Sequence, residues 1–208
     1  EYDTDDATYL DFIEAHAPEL FALRDYPCEP DVLAEHGRRV EDHQQRTLRR
    51  HRSLLDLLED RDLPGTPLAV LQGWSIDDYL RCVDLFRDHD VLTDYVGIGS
   101  VCRRNQEAEI RRIIVAVRDA LPSRVRLHAF GVKSSVLRYP DVRGALASAD
   151  SQSYEMQAQW GTLHAKGAGS KTFRDSALEY LKQKRRIETL LASDADAETQ
   201  QTALSEVC

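Results

Sequence analysis

Lysine is scarce in this chain: only five of its 27 basic residues are lysines (Lys133, Lys166, Lys171, Lys182 and Lys184), and the other 22 are arginines. A broad basic footprint is missing as well, because the net charge is −9 and the sequence pI is near 5.3. That balance excludes a protein that covers phosphate backbones with its whole surface, but it leaves room for a local basic patch. An acidic, lysine-poor surface suits a salt-rich cytoplasm, and high genomic GC accounts for the arginines equally well. The four cysteines, Cys28, Cys82, Cys102 and Cys208, fall in no C-x-C or C-x₂-C spacing. This argues against a cysteine-built zinc site and against a disulfide scaffold, so reduced cytoplasmic thiols are the expectation. No apolar run approaches the ~18 residues of a membrane span, and no signal peptide is visible. The chain opens on Glu1 rather than Met, which points to a processed, trimmed or partial product.

What the chain does have is a repeated pattern, and its 208 residues suffice for one domain with a real core. Five short apolar runs each end on a polar or ring-bearing residue, and a helical pattern follows each. The runs are Leu20–Leu23, Pro67–Leu71, Tyr95–Ile98, Val125–Ala129 and Ala145–Ala149. Helices are expected over residues 3–15, 31–58, 76–89, 107–121 and 173–192, with a short turn near 141–147. Strands are expected at 20–25, 67–71, 95–100, 125–130 and 148–153, and a Gly/Ala/Lys loop at 161–170. On the middle of the 31–58 helix, arginines and His36, His43 and His51 accumulate. They form either a solvated outer face or a phosphate-contacting strip.

Alternating strands and helices predict an α/β fold with a parallel sheet and right-handed crossovers. Five units are too few for a closed eight-stranded barrel, which takes ~250 residues. The expectation is therefore an open sheet, or the later part of a TIM-type (β/α) barrel over residues 1–192. An acidic tail from 193 to 208 is expected to fray. In such a barrel the C-terminal strand ends meet at one face that carries the chemistry. That face would collect Asp25, Gln72, Gly99, Phe130 and Asp150.

Each of these residues has two readings. Asp150, in small-residue surroundings, either caps the following serine-rich turn or attacks an anomeric carbon and holds a covalent glycosyl intermediate. Gln72 either bonds the β/α turn or pairs with the edge of a purine-like ring. Asp25 either forms a salt bridge with Arg24 or another arginine, or accepts from a ring N–H or amine. Gly97 and Gly99 make no dinucleotide fingerprint, lacking a third glycine, and read as backbone cleared for a flat ligand. Phe130, before Gly131, is either core or a stacking ring. Arg103, Arg104 and Lys133 could hold a nucleic-acid backbone or simply face solvent, as could Arg111 and Arg112. His128 reads as a strand histidine and His164 as a loop histidine. Neither has a partner at metal-ligand spacing, so no metal or cofactor is expected.

The order Asp25, Val-Leu-Gln72-Gly, Gly-Ile-Gly99, Phe130-Gly131-Val and Asp150 resembles the tRNA-guanine transglycosylase superfamily. The strings Arg-Asp-Tyr-Pro-Cys-Glu-Pro, Gly-Ile-Gly-Ser-Val-Cys-Arg-Arg, Leu-His-Ala-Phe-Gly-Val-Lys and Ser-Ala-Asp-Ser are similar to its deazapurine-in-DNA protein A branch. The similarity runs from about Phe21 to Tyr154. It implies a TIM barrel that exchanges guanine for a 7-deazaguanine through a covalent enzyme–glycosyl intermediate. By the same resemblance Asp150 would be the nucleophile, and Asp25 and Gln72 would hold the base. Gly99 would give a backbone N–H to the base carbonyl, Phe130 would pack on the base, and Gly131 follows as in the family. The implied partners are DNA, or alternatively a tRNA, and a base resembling 7-cyano-7-deazaguanine. Two departures stand out. The family's Asp-Ser-Gly-Gly strand has no counterpart and would precede residue 1. Its zinc motif is also absent after Asp150, where only His164 and Cys208 remain. A non-catalytic barrel part that needs a partner chain or a second copy is the rival outside catalysis.

Overall fold

Runs of consecutive apolar residues alternate with 3.6-period stripes, and the fold follows that alternation. The computed structural model describes residues 2–166 and 170–205, with side chains for all of these except 162, 164–166 and 194–205. The strands are β1 (Leu20–Ala22), β2 (Thr66–Leu71), β3 (Tyr95–Ile98), β4 (Arg126–Ala129) and β5 (Ser148–Ala149). They pair in sequence order, every pair parallel, and curl into a half-barrel alternating with helices. The helices are α1 (Asp6–His16), α2 (Pro30–Glu35), α3 (Val40–Glu59), α4 (Ile76–Asp88), α5 (Glu107–Ala120), α6 (Pro140–Ala145), α7 (Ser153–Lys166) and α8 (Phe173–Ser205). This is the expected α/β architecture of a partial TIM-type barrel.

Successive strand residues point to opposite faces, and the two faces carry different cores. Ala69, Leu71, Val96, Ile98, Leu127 and Ala129 face outward into the main core. There they meet Tyr79, Cys82, Val83 and Phe86 of α4 and Ile110, Ile113, Ile114 and Val117 of α5, all spaced at one helix face. On the concave side Leu68, Val70 and Tyr95 form a separate small cluster with Ala22 and Phe130. The middle strands are buried on both faces, the usual state of a parallel sheet.

Local chemistry sets the helix ends. Ser75 and Asp78 form a reciprocal capping box at α4 (Ser75 Oγ accepts from Asp78 N, 3.2 Å; Asp78 Oδ2 accepts from Ser75 N, 2.7 Å). Asp5 caps α1 by accepting from Thr8 N at 2.7 Å.

Several boundaries differ from those expected. The single helix over 31–58 is two helices. Gly37 takes a left-handed φ of +58° and ends α2, and Arg38 N then donates back to Leu33 O at 2.9 Å. The strand expected over 148–153 stops at Ala149, because the Asp150 side chain turns toward β4 and Ser151 Oγ caps Ser153 N at 3.3 Å. The loop expected over 161–170 is helical through Lys166. α8 continues to Ser205, through the first part of the segment expected to fray. The His164 side chain and Cys208 lie outside the described residues. Among the described residues no helix is long and apolar enough to cross a membrane.

Ile114, fully buried between α5 and the sheet, tests this packing. Ile114→Ala is expected to lower the unfolding free energy by about 3 kcal/mol, seen as a lower urea midpoint with an unchanged slope.

Candidate active site

The ladder fixes where each strand end lands. Leu71 pairs with Ile98, Ile98 with Ala129, and Ala129 with Ala149. One residue further along each strand stand Gln72, Gly99, Phe130 and Asp150. Backbone bonds carry the register up to that rank: Gly99 N to Leu71 O (3.0 Å), Phe130 N to Ile98 O (3.2 Å) and Asp150 N to Ala129 O (3.3 Å). Asp25 comes from the segment after β1, three residues past Ala22, and its carboxylate reaches the Gln72 side chain.

The Gln72 carboxamide is the hub of this end of the sheet. Its Nε2 donates to Asp25 Oδ2. Its Oε1 accepts from Ser100 Oγ at 2.6 Å, and Ser100 Oγ accepts from Cys28 N at 3.1 Å. The Gln72 backbone carbonyl accepts from Gln44 Nε2 of α3 at 2.7 Å. Gln44 is buried and also bonds Asp78 O, so α3 clamps the turn between β2 and α4. Ser100 sits at φ +57°, a costly backbone for a side-chain-bearing residue and one that clusters at functional sites. The amide still has a second N–H and the carboxylate a second oxygen, enough to read a donor–acceptor edge.

Burial pushes the Asp25 carboxyl up from its ordinary 3.8 to about 6. The Gln72 hydrogen bond pulls it the other way, and Glu29, itself buried, adds to the rise. Tyr2 lies against the same segment: its hydroxyl donates to Asp25 O (2.7 Å) and accepts from Asp25 N (3.0 Å). Burial raises this phenol to about 12.

Asp150 occupies the other side of the rank. Oδ1 accepts from the Gly131 N–H at 2.6 Å, and Oδ2 lies 3.2 Å from His128 Nε2. A chain follows: His128 Nδ1 is 2.8 Å from Ser148 Oγ, which is 2.7 Å from the Tyr95 hydroxyl. The Asp150 side chain is 56% exposed, open to a reacting partner yet fixed at both oxygens. Phe130 packs over the concave face and meets the His128 ring edge-on at 4.6 Å.

For Asp25 and Asp150 the local alternatives raised by the sequence are not realised. Arg24 turns away from Asp25 to pair with Asp6 and Thr4 beneath the rings of Tyr2 and Tyr9. Asp150 does not cap the serine turn; Ser151 does.

Other expectations need correction. Gly97 and Gly99 do not leave room for a flat ligand. A Cβ at Gly97 would lie 2.3 Å from Phe130 Cε2, and one at Gly99 would lie 2.1 Å from Gln72 Nε2. Both glycines accommodate side chains of the site itself. The Gly99 N–H is taken by Leu71 O and its carbonyl by the Tyr79 hydroxyl at 2.7 Å, so it has no N–H left for a base carbonyl.

Arg104 is not a surface arginine. It is buried, donates to Glu109 and to Trp74 O, and stacks on the Trp74 ring, so it cannot meet a nucleic-acid backbone. Arg103 stays exposed, 3.7 Å from Asp31, and Lys133 reaches Asn105 O at 3.3 Å. Arg111 pairs with Asp141. On α3 the expected solvated face is partly inward: His43, Gln44, Thr47 and His51 are buried, and burial drives His51 down to about 3.

A half-barrel of parallel strands whose C-terminal ends gather a half-buried carboxylate, a carboxamide and a second, hydrogen-bonded carboxylate has the layout of a barrel-type site at the C-terminal face of its strands. The family model for DpdA, deoxypurine in DNA protein A, matches residues 11–205. The chain belongs to that family, the deazapurine branch of the tRNA-guanine transglycosylase superfamily. No curated protein matches it.

The raised Asp25 carboxyl makes stability depend on pH. Between 3.8 and about 6 the folded chain holds this proton and the unfolded chain has released it. Stability from this group therefore falls as pH rises through that window. Asp25→Asn is expected to remove that slope, measured by urea unfolding at about pH 3.5 and about pH 6.5, on either side of the window.

Proposed function

We propose that the chain exchanges guanine in DNA for a 7-deazaguanine base by double displacement at C1′. The observation that carries this reading is the single rank of strand ends, with a base-reading pair (Asp25 and Gln72) on one side and a held, exposed carboxylate (Asp150) on the other. DpdA family membership supports the DNA substrate.

A duplex hides C1′ and the base edge, so the target nucleotide must leave the stack. An Asp150 oxygen then attacks C1′. The C1′–N9 bond breaks, its electron pair leaves on N9, and the departing guanine takes a proton from water. The incoming base occupies the same edge contacts on Asp25 and Gln72. Its N9 attacks C1′, loses its proton to water, and expels Asp150 as a carboxylate.

The Gly131 N–H and His128 keep the attacking group from rotating, which lowers the entropy lost on reaching the attack geometry. His128 touches the nucleophile and is a positioning residue in this scheme. Gly99 contributes by leaving the Gln72 amide unobstructed. Phe130 closes the concave side of the site.

Two substitutions test the scheme. With guanine-containing single-stranded DNA, the wild-type chain is expected to give a covalent protein–DNA adduct on a denaturing gel. Asp150→Asn is expected to give none while still binding 7-cyano-7-deazaguanine in a calorimeter. Trapping retained by Asp150→Asn would remove Asp150 from the role. Gly99→Ala, which forces the Gln72 amide aside, is expected to weaken base binding at least ~10-fold, about 1.4 kcal/mol.

A further inference from the structure

We propose that the cleft between the β1–α2 segment and α3 is a phosphodiester subsite, holding the single-stranded DNA that flanks the extruded guanine. The proposal rests on the transglycosylase reading for the identity of its strand and on separate residues for its geometry.

The cleft has a volume of about 480 Å³, and Asp25, Tyr26, His36, Arg38, His43 and Arg46 are among the residues that line it. A second depression of about 260 Å³ continues from it, sharing Tyr26 and Arg46 and adding Arg49 and Arg50. In a chain of net charge −9, this concentrates arginine and histidine along one short path. The acids nearby are largely engaged. Asp6 accepts from Arg50 at 2.7 Å and from Arg24 at 3.5 Å, and Asp42 lies 3.7 Å from Arg39. Arg38 and Arg49 are exposed and make no ion pair among the described residues. A cleft in which cationic groups outnumber the carboxylates focuses the field on a polyanion even when the whole protein repels it.

The floor carries two more features suited to a nucleic-acid strand. The Arg46 guanidinium sits over the Tyr26 ring at 4.2 Å, a cation-backed aromatic platform of the kind single-strand binders use. His43 is 1% exposed, and its Nδ1 lies 2.6 Å from Pro27 O. Its Nε2 is buried without a hydrogen-bond partner among the described residues, and such an atom calls for a ligand or water group.

The position supplies the strand's identity. Tyr26 follows Asp25 directly, and consecutive Cα atoms are about 3.8 Å apart, so the cleft begins where the base-reading carboxylate ends. A strand whose guanine lies on Asp25 and Gln72 has its neighbouring phosphates at this cleft.

The test measures fluorescence anisotropy of a short labelled guanine-containing DNA single strand over a series of salt concentrations, with the full chain. The double variant Arg38→Gln with Arg49→Gln removes two exposed charges. It is expected to weaken binding about tenfold at low salt and to make the log Kd against log salt slope shallower by ~1.4. A control double variant at the other end of the strands, beside the start of β4, Arg124→Gln with Arg126→Gln, is expected to leave the slope unchanged. An unchanged slope in the cleft variant, or an equal loss in the control, would overturn the subsite. Tighter binding of the same-sequence RNA strand, with the same sensitivity to Arg38 and Arg49, would overturn its assignment to DNA. Binding of 7-cyano-7-deazaguanine and the Asp150-dependent adduct are read in parallel. Their loss with the slope effect intact defeats the transglycosylase reading alone, and their retention without a slope effect defeats the subsite alone.

Discussion

The parallel register of β2, β3, β4 and β5 is the constraint on which the rest depends. It is in step across four strands, so the residue after each ladder end falls on one rank: Gln72, Gly99, Phe130 and Asp150. A slip of one residue on any strand would turn its end to the outer face and put a core residue at the site. Burial holds the register. Ala69, Leu71, Val96, Ile98, Leu127 and Ala129 can pack on the helices only in this phase, and Phe130 fits over β3 only because position 97 has no Cβ.

On that frame the two halves of the site are built differently. The Asp25 side is over-determined: Gln72, Ser100, Cys28 and Gln44 form a closed set of hydrogen bonds, with a strained backbone at Ser100 and a carboxyl raised by burial. Such a set keeps its geometry with or without a ligand, which suits a device that reads a base edge. The Asp150 side is open. Its carboxylate is fixed by one backbone N–H and one imidazole but faces outward, which suits a group that must approach a sugar carbon. Edge reading thus sits at the ends of β1 and β2, and attack at the end of β5.

Much of this was legible in the sequence, for identifiable reasons. Short apolar runs ending in polar residues gave the strands and their C-terminal ends, because consecutive buried residues are characteristic of central parallel strands. Helix boundaries were harder. Gly37 marked a stop inside the apparent helix over 31–58, but the arginine-rich pattern around it suggested continuity. His128 reads as an ordinary strand histidine in the sequence, although it lies two residues before Phe130 and so shares its face. Ser100, Gln44 and Tyr79 had no local signal, since their roles come from bonds to residues 20 or more positions away. The glycines were read correctly as places without side chains, but not for the occupant: Phe130 and Gln72 fill that space. Arg104 was misjudged because an arginine beside another arginine looks like surface, whereas the Trp74 ring and Glu109 pay for its burial.

The most direct measurement of the central claim is base incorporation. The full chain is incubated with guanine-containing single-stranded DNA and radiolabelled 7-cyano-7-deazaguanine, and the label retained in the polymer is counted. A rank of strand ends that reads a base at Asp25 and Gln72 and attacks at Asp150 predicts label in the DNA, with guanine released in equal amount. A folded chain that binds the base and leaves the DNA unlabelled would contradict the account.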